Sequence, residues 1–351
     1  MKDIKIGDRW VGATHKPFII AEMSGNHNQS LERAMEIVDA AAAAGADAIK
    51  LQTYTADTMT LNVRHGLFQI EDENSLWDGY NLYQLYQLAY TPWEWHKPLF
   101  DRAKSHGMLA FSSPFDASAV DFLMELDVPV FKVASFENTD HPLLKKIAQT
   151  GKPVIMSTGV TTAADIDESV RVLRENGCKD LILLKCTSTY PATPENTNLR
   201  TIPHLRSLFE CHVGLSDHTM GVGAPIAAVA LGATVIEKHF TLSRADGGVD
   251  SAFSLEPAEL KSLVVETERA FLAMGKIQYG IQEVEKNSKQ FKRSIYVGKD
   301  IKAGEPFTTD NLRVIRPGDG LEPKYFERVL GKKAVKDLKL GQALNWDLIL
   351  D

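Results

Sequence analysis

Eight short apolar runs recur along this chain, each rich in Ile, Val, Leu or Phe and each closing on polar or charged residues. They read FIIAE at 18–22, AIKLQ at 48–52, MLAFSS at 108–113, VFKVAS at 130–135, PVIMS at 153–157, LILLKCT at 181–187, HVGLS at 212–216 and VIEKH at 235–239. An unbroken apolar run, without the polar alternation of a half-solvated strand, is the mark of a strand covered on both faces. Helical patterns lie between the runs. In the stretch opening at Ser30, for example, Leu31, Ala34, Ile37 and Val38 fall on one face. Strand and helix alternating eight times predict an α/β fold, a closed (β/α)8 TIM barrel, with an open doubly wound sheet as the alternative. Ser30 is expected to cap its helix without a full capping box. Thr91, Pro92 and Glu94 are expected to supply cap, first-turn proline and third-position glutamate to another helix. The uncharged stretch 219–236 reads as a tightly packed soluble helix and a buried strand rather than a membrane span.

A barrel of this kind takes about 250 residues, and the chain has 351. Part of the surplus is an aromatic insert at 55–90, after the second run, containing Trp77, Tyr80, Tyr83 and Tyr86. A loop of that length after a barrel strand is either a functional lid or a packing arm. The rest is a tail holding two similar segments 37 residues apart, KDIKAGE at 299–305 and KDLKLGQ at 336–342, each followed six residues past its glycine by Asp310 or Asp347. Such a repeat predicts a compact, pseudo-symmetric small domain. The expected organisation is a barrel over 1–275, a polar linker over 276–290 and the small domain over 291–351.

From Glu285 onward the chain carries 14 Lys+Arg against 10 Asp+Glu, so +4 sits in the tail and −11 in the rest of a chain whose total is −7. An acidic total argues against bulk attraction to nucleic acid or an anionic membrane. A basic tail on an acidic barrel could dock, or bring positive charge to an anionic ligand. Three cysteines without a C-x-x-C pair, and an N-terminus without an apolar h-region, lead us to expect a reducing cytoplasm.

Side chains at the carboxyl ends of barrel strands converge on one mouth. Here that mouth would collect Glu22, Lys50, Gln52, Ser112, Ser113, Lys132, Ser135, Glu137, Ser157, Thr187, Ser188, Ser216, Asp217, His218, Glu237 and His239. Lysine is rarely buried unpaired, so Lys50, Lys132, Lys185 and Lys238 inside apolar runs need a reason: outward ones could reach solvent past the helices. Inward ammonium groups ringed by hydroxyls would suit a phosphate or phospho-carboxylate ligand. No glycine-rich nucleotide motif is present. His218 and His239 close consecutive strands and could share one ion or be ordinary hydrogen-bonded residues. Asp217, Glu237 and Asp250 would add oxygen ligands or support the histidines, which favours an Mn²⁺-like or Mg²⁺-like ion. Glu22 and Glu137 could work as acid and base or simply pair with Lys50 and Lys132. His27 could shape its loop or touch ligand.

The motifs IAEMSGNHN at 20–28, KLQTYTADT at 50–58, FSSPFD at 111–116, KVASFEN at 132–138, STG at 157–159, KCTSTYP at 185–191, GLSDHT at 214–219, EKHF at 237–240 and RPG at 316–318 together resemble the sialic acid synthase family. Within it they are most similar to the branch that makes pseudaminic acid. The resemblance spans essentially the whole chain. It implies a TIM barrel followed by a small C-terminal antifreeze-like (SAF) domain. It also implies condensation of phosphoenolpyruvate with a diacetamido sugar aldehyde to give a nine-carbon 2-keto acid and phosphate. It implies that His218 and His239 hold a divalent metal, Mn²⁺ first with Mg²⁺ or Co²⁺ as alternatives. Lys50, Ser113, Lys132, Ser135, Ser157, Ser188 and Ser216 would grip phosphoenolpyruvate, with Thr187 and Asp217 beside them. Glu22, Gln52, Tyr190, Glu237 and Asp250 would line the sugar and metal region, with Glu137 moving a proton. Arg316 would reach a partner's sugar in a domain-swapped homodimer. Relatives that make N-acetylneuraminate commonly carry Asn at the position of Ser188.

Overall fold

A computed structural model describes residues 1–72 and 76–350; residues 73–75 of the aromatic insert lie outside the described residues. Eight parallel strands close into a barrel: β1 (Phe18–Glu22), β2 (Ala48–Thr53), β3 (Leu109–Pro114), β4 (Phe131–Val133), β5 (Val154–Ser157), β6 (Leu181–Cys186), β7 (His212–Asp217) and β8 (Val235–His239), with β8 hydrogen-bonded to β1. Closure rules out the open sheet. It also accounts for the apolar runs, because a strand between a filled interior and a layer of helices meets no water: nearly every strand residue is buried. An N-terminal hairpin, Ile4–Ile6 with Arg9–Val11, lies at the opposite end from the mouth, where His212, first in β7, hydrogen-bonds the Lys2 carbonyl at 2.9 Å.

Ser30 caps the helix Leu31–Ala44 by accepting from the Arg33 amide at 3.2 Å. The expectation for Thr91 fails. The helix Trp93–Ser105 begins without a side-chain cap, because the Thr91 hydroxyl is turned inward to His27 Nε2 at 3.2 Å. That bond, with the Gln29 amide donating to Nδ1 at 3.1 Å, makes His27 a buried loop-shaping residue. The stretch 219–236 forms the short helix Gly223–Ala230 and then enters β8. Among the described residues no helix is long and apolar enough to cross a membrane.

Register aligns the mouth. Glu22 is opposite Lys50, Gln52 opposite Ser113, Ser216 opposite Glu237 and His239 opposite Glu22. Each pair lies side by side on neighbouring strands, and the pairs stack at successive levels, so residues far apart in sequence share one polar mouth.

Residues divide into two compact units, Met1–Gly275 and Lys276–Asp351. In the second, the stretch expected as a plain linker includes an exposed run of 3₁₀ turns, Glu283–Phe291. Strand β9 (Ser294–Val297) pairs antiparallel with β10 (Leu312–Ile315) over a small core including Ile295, Val297, Phe307, Leu338 and Leu344. The sequence repeat becomes a reciprocal clasp. Lys302 pairs with Asp337 at 2.9 Å and Lys339 with Asp300 at 2.7 Å, and each aspartate also accepts a backbone amide of the other segment, Ala303 or Leu340, at 2.9 Å. Gly304 and Gly341 hold φ of +81° and +83°, a left-handed turn that explains glycine in both copies.

Candidate active site

Four buried charges form the floor of the mouth. Lys50 Nζ contacts Glu22 at hydrogen-bond range and lies 3.8 Å from Glu237 Oε2; Lys132 Nζ lies 3.5 Å from Glu237 Oε1. None of the four side chains is more than 7% exposed, so the lysines are paired inside the barrel rather than directed to solvent. The two carboxylates differ. Burial raises both, but Lys132 and Lys50 on either side hold Glu237 below the usual carboxylate range. Burial carries Glu22 up to about 7 against the pull of Lys50. Burial also pulls Lys132 below its ordinary value, while Glu22 and Glu237 overcome it at Lys50 and leave that ammonium above. The cluster is therefore nearly neutral when empty, with Glu22 able to take a proton when more negative charge arrives.

Hydroxyls ring this floor. Lys50 donates to Ser113 at 3.2 Å, Lys132 to Ser157 at 2.8 Å, and Ser216 to Glu237 at 3.0 Å. Strand β4 ends at Val133, and residues Ser135–Glu137 form a 3₁₀ turn over the mouth, which releases Ser135 from strand alternation. Ser135 accepts from the Gly159 amide at 3.2 Å. A Cβ on Gly159 would stand 2.1 Å from Ser188 Oγ and 2.7 Å from Ser135 Oγ, so only glycine lets these hydroxyls and the amide share one edge.

On the opposite side His218 and His239 face each other with ring centroids 5.3 Å apart, against Phe253 and Tyr190. The Thr187 carbonyl accepts from His218 Nδ1 at 2.9 Å, fixing the tautomer and turning Nε2 away from that bond. Burial and nearby cations hold His239 well below the ordinary imidazole range, and its Nδ1 is buried without a hydrogen-bond partner, 3.9 Å from Asp250 Oδ2. A neutral imidazole with an unused nitrogen beside a carboxylate fits a divalent cation. Among the described residues no group of three or more His, Cys, Asp or Glu is gathered to hold one, so substrate or water would complete its shell.

Above lies a cavity of about 370 Å³ lined by Ser24, Gln52, Tyr54, Ser135, Glu137, Tyr190, His239 and Asp250 from the barrel, and by Met59, Ile70, Trp77, Leu82, Leu85, Tyr86 and Ala89 from the insert. The insert is thus a wall of the mouth. Burial raises Glu137 to about 7, and its Oε2 is buried and unpartnered.

Three expected mouth residues are elsewhere. Ser112 alternates with inward Ser113 and faces the helices, its hydroxyl 2.6 Å from that of Thr53, which in turn meets His96 at 2.8 Å. Asp217 faces outward between strands and helices and pairs with Lys238 at 2.8 Å, because it alternates with inward Ser216. The Thr187 hydroxyl is committed to Lys185 at 2.6 Å and the Asn196 carbonyl at 3.1 Å, so Thr187 serves the site through its carbonyl. Arg316 is an exposed residue of the second unit, just past β10. Sequence reasoning missed Ser24, which donates to Asp250, and Cys186. Burial pushes the Cys186 thiol up, but His218, Ser135 and Ser188 together outweigh it and bring the thiol down to about 7. A small polar residue in a loop and a cysteine inside an apolar run carry no pattern that would reveal either.

Residues 37–279 match the NeuB family model and residues 292–350 the SAF domain model. A pseudaminic acid synthase from Campylobacter jejuni subsp. jejuni serotype O:2 is 46% identical over 94% of this chain and 96% of its own. An N,N'-diacetyllegionaminic acid synthase from the same organism is 39% identical, over 94% and 99%. The crystal structure of an N-acetylneuraminic acid synthetase from Leptospira borgpetersenii, in complex with citrate, superposes with a TM-score of 0.72 at 33% identity, covering 82% of this chain and 95% of that one.

Proposed function

Because the chain belongs to the NeuB family and ends in a SAF domain, we propose that it is a pseudaminic acid synthase, condensing phosphoenolpyruvate with 2,4-diacetamido-2,4,6-trideoxy-altrose to give a nine-carbon 2-keto acid and phosphate. The observation that carries the chemistry is the floor of two buried lysines and two buried glutamates, ringed by serines, beneath the histidine pair. The branch assignment is supported by the higher identity to the pseudaminic than to the legionaminic acid synthase.

Lys50 and Lys132 bind the anionic phospho-enol, with Ser113, Ser135, Ser157, Ser188 and Ser216 around it, so that its C3 faces the aldehyde carbon. A divalent cation held by His218 and His239, Mn²⁺ in our reading, would supply Lewis-acid polarisation of the aldehyde oxygen. Attack by C3 forms the carbon–carbon bond and leaves positive character at C2, which the ionised Glu237 carboxylate stabilises. Glu137 takes one proton of the water that adds at C2, and the aldehyde oxygen gains a proton as it becomes the new hydroxyl. The C2–O bond to phosphate breaks as C2 becomes the ketone, its hydroxyl proton leaving with phosphate. Asp250, oriented by Ser24, and Gln52 hold the sugar, and Tyr190 packs over the histidines. Arg316 of one protomer would serve the sugar site of its partner in a domain-swapped homodimer. Three free, buried cysteines suit a reducing cytoplasm.

Phosphate release by the purified protein decides the reaction. It is measured with phosphoenolpyruvate and, in turn, the trideoxy-altrose, N-acetylmannosamine and the legionaminic acid precursor. Selective turnover of the first is expected. Preference for either of the others moves the protein to another branch, and inertness to phosphoenolpyruvate overturns the class.

A further inference from the structure

We infer that the helix Leu82–Ala89 of the insert, with Met59 and Ile70, is the surface that selects the sugar, by accepting the methyl group at its C6 and rejecting a hydroxymethyl there. This rests on the pseudaminic acid reading and adds to it the residues that read the deoxy position.

The helix presents two faces. Leu82, Leu85, Tyr86 and Ala89, at the spacing of one helical stripe, line the cavity. The polar residues Gln84 and Gln87 are exposed on the other side, and Tyr83 donates to Asp57 at 3.0 Å. This stripe packs in part against the barrel, with Tyr86 edge-on to Tyr54 at 5.7 Å, and also lines the cavity together with Phe136 and Glu137. Trp77 ties the insert to the loop bearing Asp250, its Nε1 donating to the Val249 carbonyl at 3.0 Å. At the other end of the helix Gln29 Nε2 donates to the Leu88 and Tyr90 carbonyls at 3.0 and 2.7 Å, so the wall is anchored at both ends.

Polarity in the cavity is one-sided. Ionisable groups come from the barrel: Glu137, His239 and Asp250 line the space, and the lysine floor lies beneath. From the insert come Met59, Ile70, Trp77, Leu82, Leu85, Tyr86 and Ala89, none of them charged. A sugar held by its aldehyde end near the histidines projects its far carbons toward that wall. A C6 methyl gains apolar contact there. A C6 hydroxyl has the half-buried Leu82, Ile70 and Met59 for neighbours and gives up part of its hydrogen bonding to water. Apolar pockets reject an added hydroxyl by roughly a hundredfold.

The test uses the full-length, metal-loaded protein and two substrates, 2,4-diacetamido-2,4,6-trideoxy-altrose and its counterpart bearing a C6 hydroxyl. Wild type should favour the deoxy sugar by about 10- to 100-fold in kcat/KM. Leu82→Gln and, separately, Met59→Gln place an amide beside C6 and should cut that ratio at least about tenfold, with the KM for phosphoenolpyruvate changing by less than about twofold. An unchanged ratio in both folded variants, or no preference in wild type, overturns the inference while turnover of the deoxy sugar keeps the reading intact. Failure of wild type to use the deoxy sugar while it turns over N-acetylmannosamine overturns the reading itself, and the inference with it.

Discussion

Lys238→Met removes a lysine whose side chain is 0% exposed from a pair with Asp217, itself 1% exposed. The lost ammonium donates to Asp217 Oδ2 at 2.8 Å, to the Gly221 carbonyl at 3.1 Å, and to the Thr219 carbonyl. Its removal strands a buried carboxylate and two carbonyls. Breaking a buried pair from one side costs about 3–5 kcal/mol. Here Thr219 still donates to Asp217 from its amide at 3.1 Å and its hydroxyl at 2.9 Å, which puts the value near the lower end, about 3 kcal/mol. At about 2–4 °C per kcal/mol for a unit of this size, the barrel should melt about 6–12 °C lower. Residues 219–221 follow His218 directly, so kcat should fall as well. Differential scanning calorimetry of the whole chain reads the barrel transition. The double variant Lys238→Met/Asp217→Leu removes both charges and should recover most of the loss, since apolar replacement of a buried pair is often neutral. A single variant melting within about 2 °C of wild type, or a double variant no better than the single, would refute the account of this pair.

Four further outcomes follow from the site. Glu137→Gln should abolish the rise of kcat through about pH 7: the wild-type carboxyl, held near 7 by burial, is ionised and able to accept a proton only above that value. A pH–rate profile retaining that limb would exclude Glu137 as the base. Phosphoenolpyruvate affinity should fall as pH rises through 7, because ionised Glu22 repels the incoming anion; Glu22→Gln should flatten the dependence, measurable as lost proton uptake by calorimetry in buffers of differing ionisation enthalpy. His218→Ala and His239→Ala should each abolish phosphate release and divalent-ion binding, so normal turnover by either variant under chelator would sink the metal assignment. Gly159→Ala should raise the KM for phosphoenolpyruvate at least about tenfold, since its Cβ would collide with Ser188 and Ser135; an unchanged KM would mean that edge does not touch the anion.

How legible the site was varies residue by residue. Lys50, Lys132, Ser157 and Ser216 announced themselves as polar residues in apolar strands, but that they point inward rather than past the helices was decided by the structure. Strand alternation, followed strictly, excludes Asp217, whose neighbour Ser216 faces inward; grouping it with the mouth mistook the end of a strand for its inner face. Thr91 was misread because a helix cap and a buried hydroxyl partner look alike until His27 arrives from another strand's loop.

The sequence alone determined the eight doubly covered strands, their alternation with helices, and the repeat in the tail. Those properties depend on side-chain period and local spacing, which a one-dimensional pattern carries. Tertiary structure decided what depends on contacts between distant segments. It turned the insert from a packing arm or lid into the apolar wall of the mouth, committed Asp217 to Lys238, and gave Glu22 and Glu237 opposite shifts. Each reflects which partners arrive in a water-poor interior, where ammonium groups on both sides keep Glu237 charged while Lys50 alone does not offset burial at Glu22.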